Sequence, residues 1–502
     1  MTTTDVHAST WPENLPRSGN DPISYATGHL AEDIFREYDL RGTTAADPPD
    51  PSDSLNTYVA NRLGRAFGTY LDRRGLSEIA VGHDSRSYSE PLATAFVAGL
   101  LATGRFVRFI GLATSPMVYF AQNALGGIAG TAVTASHNPN GWAGFKLSDK
   151  ASMTLGPEEI AELHNIAESR AFVSGEGRYT EVRILEEYVN EVVTRVGPAQ
   201  PLHVVLDGGN SVSGPIAQRA FEAAGHDVTM LNVELDWTFP NHEPDPEAVA
   251  ARREVADAVK AGGADVGLSL DGDGDRLGVT DEHGAIVWSD LVLAIMARDS
   301  LGRHPGASIV YDVKCSRAVG EVIEKAGGIP VMWKTGHSHI KAKAHELGAP
   351  FSGERSGHFF DAGDYFGFDD AVYAALRFAK IVSDSHESVS ELVSTLPQYV
   401  STPTMHVHCD DDRKYTVVDE FRAVAEQTPG LEKIIDVNGV RTEFSDGWFL
   451  VRASSNLPAL TIVAEATSEE RLQALYHIVR DGLTQIAGVG STWENDPFAE
   501  TT

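Results

Sequence analysis

The sequence predicts an α/β protein of three to four domains. Its 502 residues exceed what one compact hydrophobic core holds. Strand-like apolar segments alternate with helix-like ones for most of the length, the pattern of α/β architecture. Five strand candidates run into polar, glycine-bearing turns, where the ligands of α/β folds collect.

The first of these strands, Ile79–Val81, leads into Gly82-His-Asp-Ser-Arg86, and the second, Thr131–Val133, into Thr134-Ala-Ser-His-Asn-Pro139. His203–Leu206 leads into Asp207-Gly-Gly-Asn210, Val266–Leu270 into Asp271-Gly-Asp-Gly-Asp-Arg276, and Ile309–Val310 into Tyr311-Asp-Val-Lys-Cys-Ser316. Five such junctions imply one composite site or several copies of one unit, although no fixed-period repeat is present. Amphipathic helices are expected over Pro91–Thr103, Glu247–Lys260 and Asp370–Val382. A last helix opens with Thr467-Ser-Glu-Glu470, which reads as a capping box, and repeats Leu472, Leu475, Val479 and Leu483 on one face. Polar or proline-bearing breaks at Gly175–Gly177, Asp281–Gly284 and Ser401–Thr404 divide the chain into domains 31–177, 178–283, 284–400 and 401–489. A flexible extension, 1–30, and an acidic tail, 490–502, are expected at the ends.

Lysine and arginine total 40 against 71 acids, a net charge of −31. A field of that sign disfavours nucleic acid and anionic membrane as partners. A site for a phosphate dianion must therefore be a local island of positive charge. Two cysteines, Cys315 and Cys409, imply no disulfide framework and a reducing compartment, so a cytoplasmic location is expected. The first 30 residues lack the basic and apolar regions of a signal peptide, and no apolar run approaches the ~18–20 residues of a membrane span.

Four motifs carry chemistry. In Thr134-Ala-Ser136-His137-Asn138-Pro139, the serine follows a buried strand on a turn ended by Asn-Pro, which displays it rather than burying it. His137 and nearby Lys146 supply positive charge for a phosphate. No G-x-S-x-G elbow occurs, which disfavours acyl-transfer hydrolysis. In Asp271-Gly-Asp273-Gly-Asp275-Arg276, three alternate carboxylates freed by two glycines can fold round one hard cation, although Asp-Gly repeats also make hairpin turns. An EF-hand is rejected, because Arg276 stands where that loop needs glycine and a strand precedes it. In Gly353-Glu354-Arg355-Ser356-Gly357-His358, Glu354 and Ser356 can bond neighbouring sugar hydroxyls and His358 can transfer protons. Arg452-Ala-Ser454-Ser455-Asn456-Leu-Pro458 makes a phosphate cradle. The last two motifs can equally be plain polar loops.

In this order the four motifs resemble the α-D-phosphohexomutase superfamily, whose loops read T-A-S-H-N-P, D-G-D-G-D-R, G-E-x-S-G-H and R-x-S-x-T-x-P. Glu37-Tyr-Asp-Leu-Arg41-Gly42, Asp312-Val-Lys314-Cys-Ser316, Thr335-Gly-His337 and Lys341 agree with it, over residues 35–485. The resemblance implies three domains of related mixed-sheet α/β topology and a smaller C-terminal α+β domain around a central cleft. It implies a phosphoserine at Ser136 and one Mg²⁺ per chain, held by that group with Asp271, Asp273 and Asp275. Arg41, His137 and Lys146 would surround the transferring group, with Lys146 and His358 moving protons and His337 assisting. Arg276, Lys314, Glu354, Ser356, Arg452, Ser454 and Asn456 would bind the sugar phosphate.

The reaction so implied interconverts hexose 6-phosphate and hexose 1-phosphate through a 1,6-bisphosphate, with glucose or mannose 1,6-bisphosphate as activator. The G-E-R-S-G-H loop looks like those of phosphomannomutases and dual mannose/glucose enzymes, so mannose phosphate is the expected substrate. The chain departs from the pattern at Ser455, Asn456 and Leu457, where relatives carry threonine and glutamate, and at His83, where arginine is common. Alternatives from other classes are a Mg²⁺-dependent phosphatase, whose D-x-D-x-T or D-x-D-x-V signature is absent, and a non-catalytic sugar-phosphate binder. Either a monomer or a homodimer fits the sequence.

Overall fold

The structure, a computed structural model, describes residues 30–44, 54–149, 152–455 and 457–499. They divide into two compact units. The first takes in the chain up to Ser289 together with Ser356–Glu391, and the second comprises Asp290–Arg355 and the chain from Leu392 onward. Among the described residues no helix is long and apolar enough to cross a membrane.

The first unit holds two mixed sheets. One is built from β1 (Leu40–Thr43), β2 (Glu78–His83), β3 (Phe106–Leu112), β4 (Ala129–Val133), β5 (Trp142–Ser148) and β6 (Arg178–Glu181), in the order β1-β5-β4-β2-β3-β6. Strands β4, β2, β3 and β6 run parallel, whereas β5 and β1 are antiparallel additions at one side. Every residue of β4 is buried, the mark of a strand covered on both faces. Helices Thr57–Arg73 and Ser89–Ala102 pack against each other beside the sheet, and their Phe67 and Phe96 meet Phe145 of β5 in the core. Each such ring contributes about 1.5–3 kcal/mol by leaving water. Helix Thr57–Arg73 begins where Asn56 accepts the Val59 N–H at 3.0 Å.

The second sheet contains β7 (His203–Asp207), β8 (Asp227–Leu231), β9 (Val266–Leu270), β10 (Leu277–Thr280) and β11 (Ile286–Val287), in the order β11-β10-β9-β7-β8. Again a parallel core, β9-β7-β8, carries antiparallel strands on one side. The segment Ser356–Glu391 adds helix Ala371–Ser385, capped by Asp370 and packed on helices Leu185–Val196 and Ser213–Ala224.

The second unit contains parallel strands β12 (Ser308–Asp312), β13 (Ile329–Trp333) and β14 (Phe351–Gly353), with β12 in the middle. Its other part is an antiparallel sheet, including Met405–Cys409, Val440–Phe444, Gly447–Ala453 and Ala459–Ala466, covered by helices Lys414–Glu426 and Glu469–Thr484. That separation of sheet and helices is the expected α+β arrangement.

Three expectations need correction or extension. The chain from 490 is not a loose tail: Val489–Glu494 is a strand paired with Met405–Cys409, and Trp493 and Phe498 pack on Tyr476. The last helix starts one residue later than the capping box requires. Ser468 accepts the Arg471 N–H at 3.2 Å, while the Thr467 N–H donates to Asp446 O, so Glu470 has no cap to complete. Strand β6 carries the first sheet past residue 177 by pairing with β3. The N-terminal extension lies outside the described residues except for Leu30, which is buried in the first core.

Candidate active site

The strand order β1-β5-β4 brings Arg41, Lys146 and the Ser136 loop side by side. The loop leaves β4 and turns at Ser136, which has φ 52°, a left-handed conformation uncommon for a residue with a side chain. Thr134 Oγ1 accepts the Ser136 N–H at 2.8 Å. Two arginines clamp the carbonyls: Arg86 donates to Ser136 O at 2.9 Å and Asn138 O at 2.6 Å, and Arg41 donates to Ala135 O at 2.5 Å. Arg41 also donates to Asn138 Oδ1 and is paired with Asp39 at 2.8 Å. Asp84 holds Arg86 at 2.5 Å.

Ser136 is not displayed, as the turn chemistry suggests, but 1 % exposed. The reason is the second loop. Strands β9 and β10 form a hairpin whose turn, 271–276, lies over the serine, and Ser136 Oγ donates to Asp271 Oδ2 at 2.9 Å. A Cβ on Gly272 would stand 2.4 Å from Ser136 O, so only glycine permits this approach. Asp271 Oδ1 accepts the Asp275 and Arg276 N–H groups at 2.9 and 3.0 Å, which curls the turn and converges its carboxylates. Oxygens of Asp271, Asp273 and Asp275 lie within 4.8 Å of one another, all three residues buried.

Lys146 Nζ donates to Asp273 Oδ2 at 2.7 Å and also to Asp275, and Ser115 Oγ donates to Asp273 Oδ2 at 2.5 Å. Burial opposes the charge of Asp273, but Lys146 outweighs it and holds that carboxyl below its ordinary value. Burial, then Asp275 and Asp273, pushes Asp271 well up. One ammonium thus faces three enclosed carboxylates, and the donor set is all oxygen. It fits a hard divalent cation.

His137 Nδ1 lies 3.1 Å from Ser136 Oγ. Burial, then the guanidinium groups of Arg276 and Arg41, holds this imidazole well below its usual value, which opposes the positive charge expected of it. Arg276 donates from Nε to His358 Nε2 at 3.0 Å, and His358 Nδ1 lies 3.1 Å from Asp369 Oδ2. His358 therefore joins the same unit and shares Asp275 with Lys146, its Nδ1 lying 3.7 Å from Asp275 Oδ1. Ser356, buried, belongs to this unit as well.

The remaining candidates are in the second unit. Lys314 Nζ lies 3.9 Å from Asp312 Oδ2, and Asp312 also accepts Thr335 Oγ1 at 2.8 Å and the Arg355 N–H at 3.0 Å. His337 opens helix His337–Leu347 and is buried, as is Lys341 one turn on. Glu354 Oε1 accepts the Gly336 N–H at 2.6 Å, which joins the Glu354 and His337 loops. Arg452 ends Gly447–Ala453 and donates to Ser455 Oγ at 3.1 Å, and Ser454 Oγ accepts the Leu457 N–H at 3.2 Å. Asn456 lies outside the described residues.

Sequence reasoning passed over Arg86, Ser115, Asp369 and Asp312. Arg86 was legible only as the end of Gly82–Arg86, and Ser115 and Asp369 sit in segments without a motif.

Comparison with known proteins agrees with this geometry. The domains described as phosphoglucomutase/phosphomannomutase alpha/beta/alpha domain I, II and III match residues 32–174, 186–284 and 288–399, and the C-terminal domain matches 405–482. A phosphomannomutase/phosphoglucomutase of Pseudomonas aeruginosa is 38% identical over 457 residues, 91% of this chain and 96% of that protein. The crystal structure of a phosphoglucomutase/phosphomannomutase family protein from Burkholderia thailandensis superposes with TM-score 0.83 at 34% identity, covering 91% of this chain and 98% of that one. Aspergillus fumigatus N-acetylphosphoglucosamine mutase, solved in complex with GlcNAc-6P and magnesium, shares the fold with TM-score 0.53 at 16% identity, over 81% of this chain and 82% of that one. Three alpha/beta/alpha domains and a C-terminal domain in the family's order, with a serine against an aspartate cage, define a multidomain α/β protein built round a phosphate-handling centre. The chain belongs to the phosphoglucomutase/phosphomannomutase family.

Proposed function

We propose that this chain interconverts hexose 6-phosphate and hexose 1-phosphate, with Ser136 as the phosphoryl carrier. The observation that carries the reading is the 2.9 Å contact of Ser136 Oγ with Asp271, one of three converging aspartates. A bound Mg²⁺, held by Asp271, Asp273, Asp275 and the seryl phosphate, would neutralise charge on the transferring group.

The protein's own residues do the rest. Arg86 and Arg41 fix the loop by its carbonyls, so the seryl oxygen is oriented before substrate arrives. Lys146 and His358 hold or move the proton of the attacking sugar hydroxyl, and His337 assists. The phosphoserine gives its group to the sugar, the 1,6-bisphosphate reverses its orientation, and its other phosphate returns to Ser136. Arg276, Lys314, Glu354, Ser356, Arg452, Ser454 and Asn456 bind sugar and phosphate through these exchanges. Mannose phosphate is the preferred substrate and glucose phosphate the second, in keeping with the dual name of the Pseudomonas aeruginosa relative. Glucose or mannose 1,6-bisphosphate primes the serine. Domain limits at 283 and 400, with the first domain running on through β6 past 177, and a cytoplasmic location complete the proposal.

The test is a coupled assay on mannose, glucose and glucosamine 1-phosphates, with peptide mapping after bisphosphate treatment. Phosphate should appear on Ser136, and Ser136→Ala should lose turnover while staying folded. Full activity in Ser136→Ala, with no phosphate found on Ser136 in the parent, would refute the mechanism.

A further inference from the structure

We infer that Arg441, in the C-terminal sheet, is a positioning residue for Lys314 and links it to the strand that carries the Arg452 loop. The inference rests on the reading of Lys314 as a phosphate-binding residue. Arg441 is 1 % exposed, and its Nη1 donates at 2.7 Å to both Val313 O and Cys315 O, the carbonyls on either side of Lys314. The guanidinium is itself held in place. Its Nε donates to Glu443 Oε1 at 2.7 Å, and its Cζ lies 3.6 Å from the centre of the Trp448 ring.

Trp448 is fully buried and fixed by donation from Nε1 to Glu465 Oε1 at 2.7 Å. Val313 packs with Trp448, Leu450 and Val463 in a separate apolar cluster. The backbone around Lys314 is thereby attached to the C-terminal sheet by two hydrogen bonds and by its neighbour's side chain. Strand Val440–Phe444 pairs with Gly447–Ala453, with Arg441 opposite Leu450, two residues before Arg452. A shift of the strand bearing Arg452 therefore moves Arg441, and with it the peptide groups that aim the Lys314 side chain. A lysine at 441 could not replace the fork, because one ammonium cannot bridge both carbonyls, pair with Glu443 and stack on Trp448 together.

The test is a double-mutant cycle on the full chain with Mg²⁺, reading kcat/KM for mannose 1-phosphate in Arg441→Lys, Lys314→Met and the double variant. Arg441→Lys should lose about tenfold, the order expected for a displaced binding group, with little change in unfolding temperature. The double variant should be no worse than Lys314→Met alone. Losses that multiply would mean that Arg441 acts on stability alone, and the inference fails. Undiminished activity in Arg441→Lys also overturns it. Wild-type activity in Lys314→Met would sink the reading of Lys314 and this inference together. If Arg441→Lys does not fold, Glu443→Gln enters the cycle instead, since it removes the carboxylate that holds the Arg441 guanidinium and leaves at most a neutral amide acceptor, and the same two outcomes decide.

Discussion

Replacing Lys146 by methionine isolates the electrostatics of the buried centre. Its ammonium lies 2.7 Å from Asp273 and also touches Asp275, with side-chain exposures of 3 % for the lysine and 0 % for each aspartate. Removing one partner of such a pair costs about 3–5 kcal/mol, because the remaining charge stays buried and unpaired. Ser115 still donates to Asp273, which favours the lower end, about 3 kcal/mol near pH 8 without metal.

The sign of the pH dependence follows from the same contacts. In the parent, Lys146 depresses Asp273, so that group's contribution is present above the unfolded carboxyl value and lost as pH falls. In Lys146→Met the chief opponent of burial is gone, and only the Ser115 and Asp271 hydrogen bonds still favour the charged form. Burial should then raise the folded-state value above the unfolded one, and the contribution is lost as pH increases instead. The stability deficit should therefore be larger near pH 8 than near pH 5, where the loss of the parent's contribution remains but the variant's buried carboxyl is closer to protonation. Added Mg²⁺ should shrink it by binding only the folded cage. Scanning calorimetry of both proteins, in EDTA and in Mg²⁺ at the two pH values, measures this directly. A deficit that ignores both pH and metal would show that Lys146 only fills space.

Gly272→Ala should cut kcat by about a hundredfold, because a Cβ 2.4 Å from Ser136 O forces the two loops apart by roughly 1 Å; unchanged turnover would mean that their spacing is immaterial. His242 bonds Asp207 at 3.0 Å, which raises its pKa to about 9. The stability it adds, about 3 kcal/mol by the usual linkage, is complete below the unfolded value near 6.5 and gone above about 9. His242→Gln should accordingly lower the unfolding temperature at pH 6 and leave it unaltered at pH 10. Deleting residues 489–502 removes a paired strand and the Trp493 ring, so unfolding should fall by several degrees, equivalent to about 3 kcal/mol or more. An unaltered thermogram would restore the loose-tail reading.

The strands before the five turns were legible because each is a short apolar run leading into a polar turn, and Ile79–Val81 and His203–Leu206 fall inside β2 and β7. The aspartate cage was legible too, from alternate carboxylates separated by glycine, and the hairpin turn that the same spacing marks is what carries it. What escaped was long-range. Ser136 looked displayed because a turn's own residues do not reveal that another loop, 135 positions later, will cover its hydroxyl. His137 looked cationic because its lowered pKa comes from burial first and then from Arg276 and Arg41, none of which its neighbours in sequence reveal. The last strand was hidden by its acidic surroundings, although Trp493 and Phe498 were the apolar residues that could dock it.

Net charge misleads for the same reason. A chain at −31 would repel phosphate if all its charges acted together, but exposed charges beyond a Debye length of about 8–10 Å are largely screened. The field at Ser136 is set by enclosed neighbours instead. Arg86 and Arg41 spend their hydrogen bonds on the carbonyls of the serine loop, and Asp84 and Asp39 hold them there. Their guanidinium charge remains beside the seryl oxygen without being offered to solvent. The three aspartates are as strongly enclosed, and Lys146 and Arg276 are the cations set against them. Positive charge on one side of the loop and carboxylates on the other would give a seryl phosphate cationic support together with a site for a divalent cation. Such an arrangement depends on burial and spacing, so an acidic surface can coexist with a phosphate-handling centre without weakening it.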